Sequence, residues 1–118
     1  MKFEQRRTMF ESALELIKAD VRSVLGRDLQ MAIKDHFNII PCMAGSLSLL
    51  GRKLEAEDPT DAIIELAEIV QYEVIDVLMT PWPWCVQHNS IANPDVKDGI
   101  PVWWCESGEH VWSRIGDA

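Results

Sequence analysis

Two prolines, Pro81 and Pro83, divide this chain into parts that follow different periodicities. A helix cannot continue through them, because proline lacks the N–H that bonds to the preceding turn and its ring collides with the backbone there. Up to Met79 the apolar residues recur at helical spacing, and beyond Pro83 they crowd into short runs rich in tryptophan and valine. The 118 residues therefore read as a single domain, 1–118, with a helical part at 2–80 and a tryptophan-rich β part at 81–118. A chain of this length buries roughly two thirds of its unfolded surface, so a hydrophobic core is its default source of stability.

In the helical part, Phe10, Leu14, Ile17, Val21 and Val24 form one stripe between Phe3 and Leu25. They are also spaced like a short heptad seam, which offers homodimerisation through this helix as an alternative to packing within the chain. Gly26 and Asp28 signal an end and a new start, after which Leu29, Ala32, Ile33, His36 and Phe37 suggest a second, short helix with His36 as a core or edge residue. Beyond Ile40-Pro41, Met43, Leu47, Leu50 and Leu54 suggest a third, although Gly45 and Gly51 each cost about 1 kcal/mol in a helix interior. The clearest start is Asp58-Pro59-Thr60-Asp61, with a capping carboxylate, a proline at the first position and further acceptors in the first turn. The helix it opens is predicted to run to about Met79. Ile63, Leu66, Ala67, Val70, Val74, Val77 and Leu78 fall on its apolar face, and Asp61, Glu65, Glu68, Tyr72, Glu73 and Asp76 on the opposite one.

In the β part, strands are predicted near 101–106 and 109–115 around Ser107-Gly108, with a third short strand or arm at 84–88. Asn93-Pro94-Asp95 and Asp98-Gly99 read as turns. A two-residue turn places Cys105 opposite His110, Trp104 opposite Val111 and Trp103 opposite Trp112. It also sets Glu106 against Glu109, and that repulsion leaves a longer loop with a shifted register as the alternative. The fold class is α+β: three to four N-terminal helices packed against a small C-terminal antiparallel hairpin or three-stranded sheet.

Charge is segregated. Residues 1–53 carry nine basic and six acidic side chains, residues 54–96 carry nine acids and no Lys or Arg, and the net charge is −8. The acidic block would repel nucleic acid and anionic membrane, so neither is expected as a direct partner. No apolar run approaches the length of a membrane span, and the three cysteines without an apolar leader fit reduced thiols in the cytoplasm.

Four constellations carry possible chemistry. Cys85, His88, Cys105 and His110 have the number and type of ligands for a tetrahedral zinc site, yet buried cysteines among five tryptophans make an apolar mini-core equally well. A cysteine nucleophile with a histidine base is disfavoured, because Glu106 and Glu109 would raise a thiol pKa. Glu65-x2-Glu68 and Glu73-x2-Asp76 superficially resemble the acidic signatures of all-α nucleotide pyrophosphohydrolases. Both pairs lie on one helix, however, and Glu65 and Asp76 are about 16 Å apart along it, too far to share an ion. Finally, Trp103 and Trp104 point to opposite faces of a strand, which makes one of them a candidate exposed hot spot.

The reading that follows is a non-enzymatic, small acidic interaction protein of inhibitor, immunity or regulatory type, with no catalytic residues assigned. It would present Asp61, Glu65, Glu68, Tyr72, Glu73, Asp76, Trp103 and Trp104 to a protein partner with a basic surface. By compositional analogy this suits a phage or mobile-element antagonist of a nucleic-acid-handling enzyme. The alternative is a zinc-binding protein, structural or hydrolytic, built on Cys85, His88, Cys105 and His110.

Overall fold

The computed structural model of the chain describes residues 3–30, 38–39, 42–43 and 52–118. The elements are α1 (Phe3–Leu25), β1 (Leu29–Gln30), β2 (Asn38–Ile39), β3 (Cys42–Met43), β4 (Arg52–Lys53), α2 (Pro59–Leu78), β5 (Trp84–Cys85), β6 (Ser90–Lys97), β7 (Ile100–Cys105) and β8 (His110–Arg114). The class is α+β, as expected, but the described residues contain two helices, and the C-terminal sheet has four antiparallel strands in the order β5-β6-β7-β8.

The predicted second helix, with Ala32, Ile33, His36 and Phe37, and most of the third, with Leu47 and Leu50, lie outside the described residues. Their described ends are short strands, β1 pairing β3 and β2 pairing β4. Two of these strands flank the Ile40-Pro41 step, where the extended bias of a pre-proline residue competes with helix.

Strand β6 is the larger surprise, because Asn93-Pro94-Asp95 lies inside it, with Pro94 opposite Trp103. The Ala92 N–H donates to the Pro83 carbonyl at 2.8 Å, away from β7. Two residues on, the backbone of Pro94 faces the same way, past the end of two-residue β5, where a missing N–H breaks no ladder bond. Asp98-Gly99 does form a turn: both residues have positive φ, 53° and 77°, as a tight hairpin between β6 and β7 requires.

Helix α2 begins as its sequence dictates. The Asp58 side chain accepts from the Asp61 N–H at 2.9 Å and Pro59 opens the helix, while Met79, left-handed at φ 53°, closes it by donating to the Ile75 carbonyl. The α1 stripe packs inside the chain, since Phe10, Leu14, Ile17 and Val21 are buried against Leu66, Val70 and Val74 of α2 and against Trp82, Trp103 and Ile115. No seam is left for a coiled coil through those residues. Trp82 and Trp103 meet edge to face, with ring centroids 5.1 Å apart.

Two polar side chains stand on the apolar faces and join the layers. Gln71 of α2 donates from Nε2 to the carbonyls of Trp82 and Ala92, at 3.0 and 2.7 Å, tying the helix to the cis Trp82-Pro83 corner and to β6. Asp20 of α1 is fully buried. Its Oδ2 accepts from Trp103 Nε1 at 2.8 Å and from the Gly116 N–H at 2.7 Å, and its Oδ1 accepts from the Ala118 N–H at 3.0 Å.

Asp20→Ala strands the Trp103 indole N–H in the core, while the Gly116 and Ala118 amides can reach water. The expected loss is about 3 kcal/mol of unfolding free energy, with Asp20→Asn intermediate because it keeps one acceptor. A urea midpoint equal to that of the unsubstituted chain would remove Asp20 from this role.

Candidate metal centre

The sheet ends in two similar turns. Cys85 is followed by the turn 86–89 and then Ser90; Cys105 is followed by the turn 106–109 and then His110. In each, the last turn residue is left-handed, Asn89 at φ 51° and Glu109 at φ 50°. The strand pairs that close them are Cys85 opposite Ser90 and Cys105 opposite His110. The Cys105–His110 and Trp104–Val111 pairings are those expected from the sequence. The strands then slip by one residue, so that Trp103 lies opposite Ser113, and Trp112 is accommodated as a bulge that packs against the core.

The two tips meet through complementary side chains. His88 is the third residue of the first turn, and Gly108 holds the equivalent place in the second. A Cβ on Gly108 would fall 2.3 Å from His88 Cε1, 2.4 Å from Nδ1 and 2.7 Å from Nε2, so the absence of a side chain there is what admits the imidazole ring. The two histidine rings lie 4.8 Å apart by centroid. Ser107 Oγ donates to Ser90 Oγ at 3.0 Å, linking the tips a second time.

This docking gathers the four predicted ligands. One ligand atom from each of Cys85, His88, Cys105 and His110 lies within 4.8 Å of all the others, and the group could hold a metal ion. Cys85 Sγ is 3.4 Å from both His88 Nδ1 and His110 Nε2. His110 Nδ1 sits 3.1 Å from the Val111 carbonyl, a second contact that orients the ring with Nε2 toward the Cys85 sulfur. Both thiols are buried and both imidazoles half-buried.

Burial alone would push the Cys85 thiol up. Side-chain hydrogen bonds from His88 and His110, a backbone bond at His88 and the Cys105 thiol outweigh it and bring its pKa down to about 6. Glu106 and Glu109, expected to oppose a thiolate, are exposed at the turn, whereas the two imidazoles are in contact with the sulfur.

The acidic face of α2 is only partly as read. Asp61, Glu68, Tyr72 and Asp76 are exposed, and the Asp61 carboxyl is raised above its usual range by its hydrogen bond with, and repulsion from, Asp58. Glu65 faces inward along the chain: its carboxylate accepts from the Glu55 and Ala56 amides at 2.9–3.0 Å and so fixes the approach to the helix. Glu73 is buried, not solvated, and Trp103 is fully buried in the core, so neither presents itself to a partner as expected. The exposed member of the tryptophan pair is Trp104, half-buried, with the Lys97 ammonium 4.1 Å from its ring centroid.

Sequence reasoning overlooked Asp20 and Ser90, and it read Ser107-Gly108 only as a turn. Asp20 had a signal, a carboxylate three residues after Ile17 on the apolar stripe. The others act only once the two tips meet. No described helix is long and apolar enough to cross a membrane. No known family, curated protein or solved structure matches the chain.

Gly108→Ala should weaken binding of a divalent metal by roughly ten- to a hundred-fold in competition with a chromophoric chelator, because His88 must leave its place. Equal affinity would show that His88 is not held by the second turn. In metal-free protein the thiolate absorbance of Cys85 should titrate near pH 6 and vanish in Cys85→Ser. The depressed folded pKa means that this thiolate stabilises the fold fully above the unfolded thiol value, and that the contribution fades as pH falls toward 6. A midpoint at the ordinary thiol value would contradict the contacts described.

Proposed function

We propose that the chain is a zinc-binding protein in which Cys85, His88, Cys105 and His110 hold one structural zinc ion that locks the two turns of the C-terminal sheet together. The observation that carries this reading is the convergence of two sulfurs and two imidazole nitrogens, drawn from three strands and a turn, within 4.8 Å of one another. A set of two thiolates and two imidazoles suits zinc among the common divalent metals, and four protein ligands complete its tetrahedron. A hydrolytic zinc needs a position left open for water, so the set favours a structural role. The lowered Cys85 pKa supports the same reading, because the ligand is largely ionised before the metal arrives.

Purified protein should hold one equivalent of zinc. Cobalt replacement should give the visible absorption of a tetrahedral site with two thiolates. Free zinc at a hundred-fold excess over Kd adds about 2.7 kcal/mol, or roughly 10 °C in Tm for a domain of this size, and chelation should remove it. Cys105→Ser should lose both the metal and the order of the C-terminal hairpin; a native spectrum with zinc retained would overturn the proposal.

A second reading, docking of a basic protein on α2, is favoured by the exposure of Asp61, Glu68, Tyr72 and Asp76 within a stretch that contains no cation. Reversing the charge of Glu68 and Asp76 should leave Tm unchanged and abolish capture of such a partner. An unchanged set of captured proteins would sink it.

A further inference from the structure

Strand alternation gives the metal-bearing sheet a second face. Cys85, Cys105 and His110 share the side of Ala92 and Trp103, which faces the helices. Their immediate neighbours therefore point the other way: Trp84 before Cys85, Trp104 before Cys105 and Val111 after His110. Ile91, paired with Trp84, lies on that outer side as well. Trp84 is 37% exposed and Val111 42% exposed. An antiparallel sheet with one face on a core normally turns polar residues to water on the other. Here an apolar run, Trp84, Ile91, Trp104 and Val111, crosses the four strands, with Asn93 of β6 opposite Trp104 within it.

Its charges differ from the rest of the C-terminal half. Lys97 and Arg114 are the two cations after Lys53. Both lie on this face: Lys97 is stacked over Trp104, and Arg114 is opposite Val102, a neighbour of Trp104 in the alternation. Asp95 is there too, 3.4 Å from Lys97. Arg114 is exposed and has no ion-pair partner among the described residues.

We infer that this outer face docks a second copy of the same chain. A chain of net charge −8 resists self-association wherever its acids face each other, and within residues 54–118 the outer sheet face gathers both cations, so two copies can approach there with less of that repulsion. About a two-fold axis, Arg114 of each copy meets Asp95 of the other while the tryptophans and valines cover one another. The four strands hold 21 residues, which at a rise of about 3.4 Å and a spacing of about 4.8 Å give a footprint of about 340 Å² per copy, less than half of the ~800 Å² of a standard interface. The dimer is accordingly weak and concentration-dependent. This rests on the zinc reading in one respect: clamping Cys85, Cys105 and His110 on the inner side is what holds Trp84, Trp104 and Val111 in one surface.

Sedimentation of the zinc-loaded full chain from micromolar to submillimolar concentration tests it. The mass should rise from one chain to two. Trp104→Glu and Arg114→Asp should each stay at one chain while keeping one zinc and a native circular-dichroism spectrum, and Asp95→Arg combined with Arg114→Asp should restore the dimer. A single chain at every concentration would overturn the proposal and leave the face to a foreign protein, and so would a dimer that survives both single variants. Chelation should dissociate the dimer, and equal association without zinc would overturn the part given to the metal. Absence of bound zinc would defeat the zinc reading by itself, while the two variants would still decide whether this face dimerises.

Discussion

The buried carboxylate of Asp20 is the interaction on which the layers depend. A charge placed in a helix–sheet core costs several kcal/mol unless it is fully hydrogen-bonded, and α1 carries one at the centre of its apolar stripe. It is stable there because three N–H groups converge on it: the Trp103 indole from β7 and the backbone amides of Gly116 and Ala118 after β8. Hydrophobic burial would let α1 slide along the sheet. The carboxylate fixes its position, since only one placement brings all three donors within reach. Gln71 does the same for α2 with two carbonyl acceptors, one of them on Ala92 directly opposite Cys105, and these contacts orient the strands that carry the metal centre.

At that end the organisation rests on small residues. Both turns have the same length and the same left-handed last residue, and their union depends on one turn having a ring where the other has no side chain. The four ligands lie at different sequence spacings, yet they meet because the strand ladder supplies three of them and the turn supplies His88. The histidines contribute twice, as nitrogen ligands and as the hydrogen-bond partners that ionise Cys85.

Much of this was legible in the sequence wherever a local rule decides the outcome. Asp58 and Pro59 started α2 where expected, and Pro81 and Pro83 ended the helical part. Cys105 faced His110 because the turn, four residues long and centred on Ser107-Gly108, closes on the same pair as the expected two-residue turn. What escaped was decided by tertiary context. Asn93-Pro94-Asp95 looks like a turn and becomes strand, since β5 is too short to need the missing N–H of Pro94. Glu65 and Glu73 share a helix face with solvated acids, yet one is taken by amides of the preceding loop and the other is buried. Trp103 and Trp104 were correctly split between two faces, but periodicity alone does not say which face meets the helices. Asp20 assigns it, by accepting from Trp103.

The three hydrogen bonds to Asp20 also bear on how the chain reaches its native state. They span 83, 96 and 98 residues of sequence, so the first helix is completed by the last strands. Such closure raises contact order and delays the reward for ordering α1 until nearly the whole chain is available. During synthesis α1 leaves the ribosome with an apolar face and an unmatched carboxylate and must wait for the sheet.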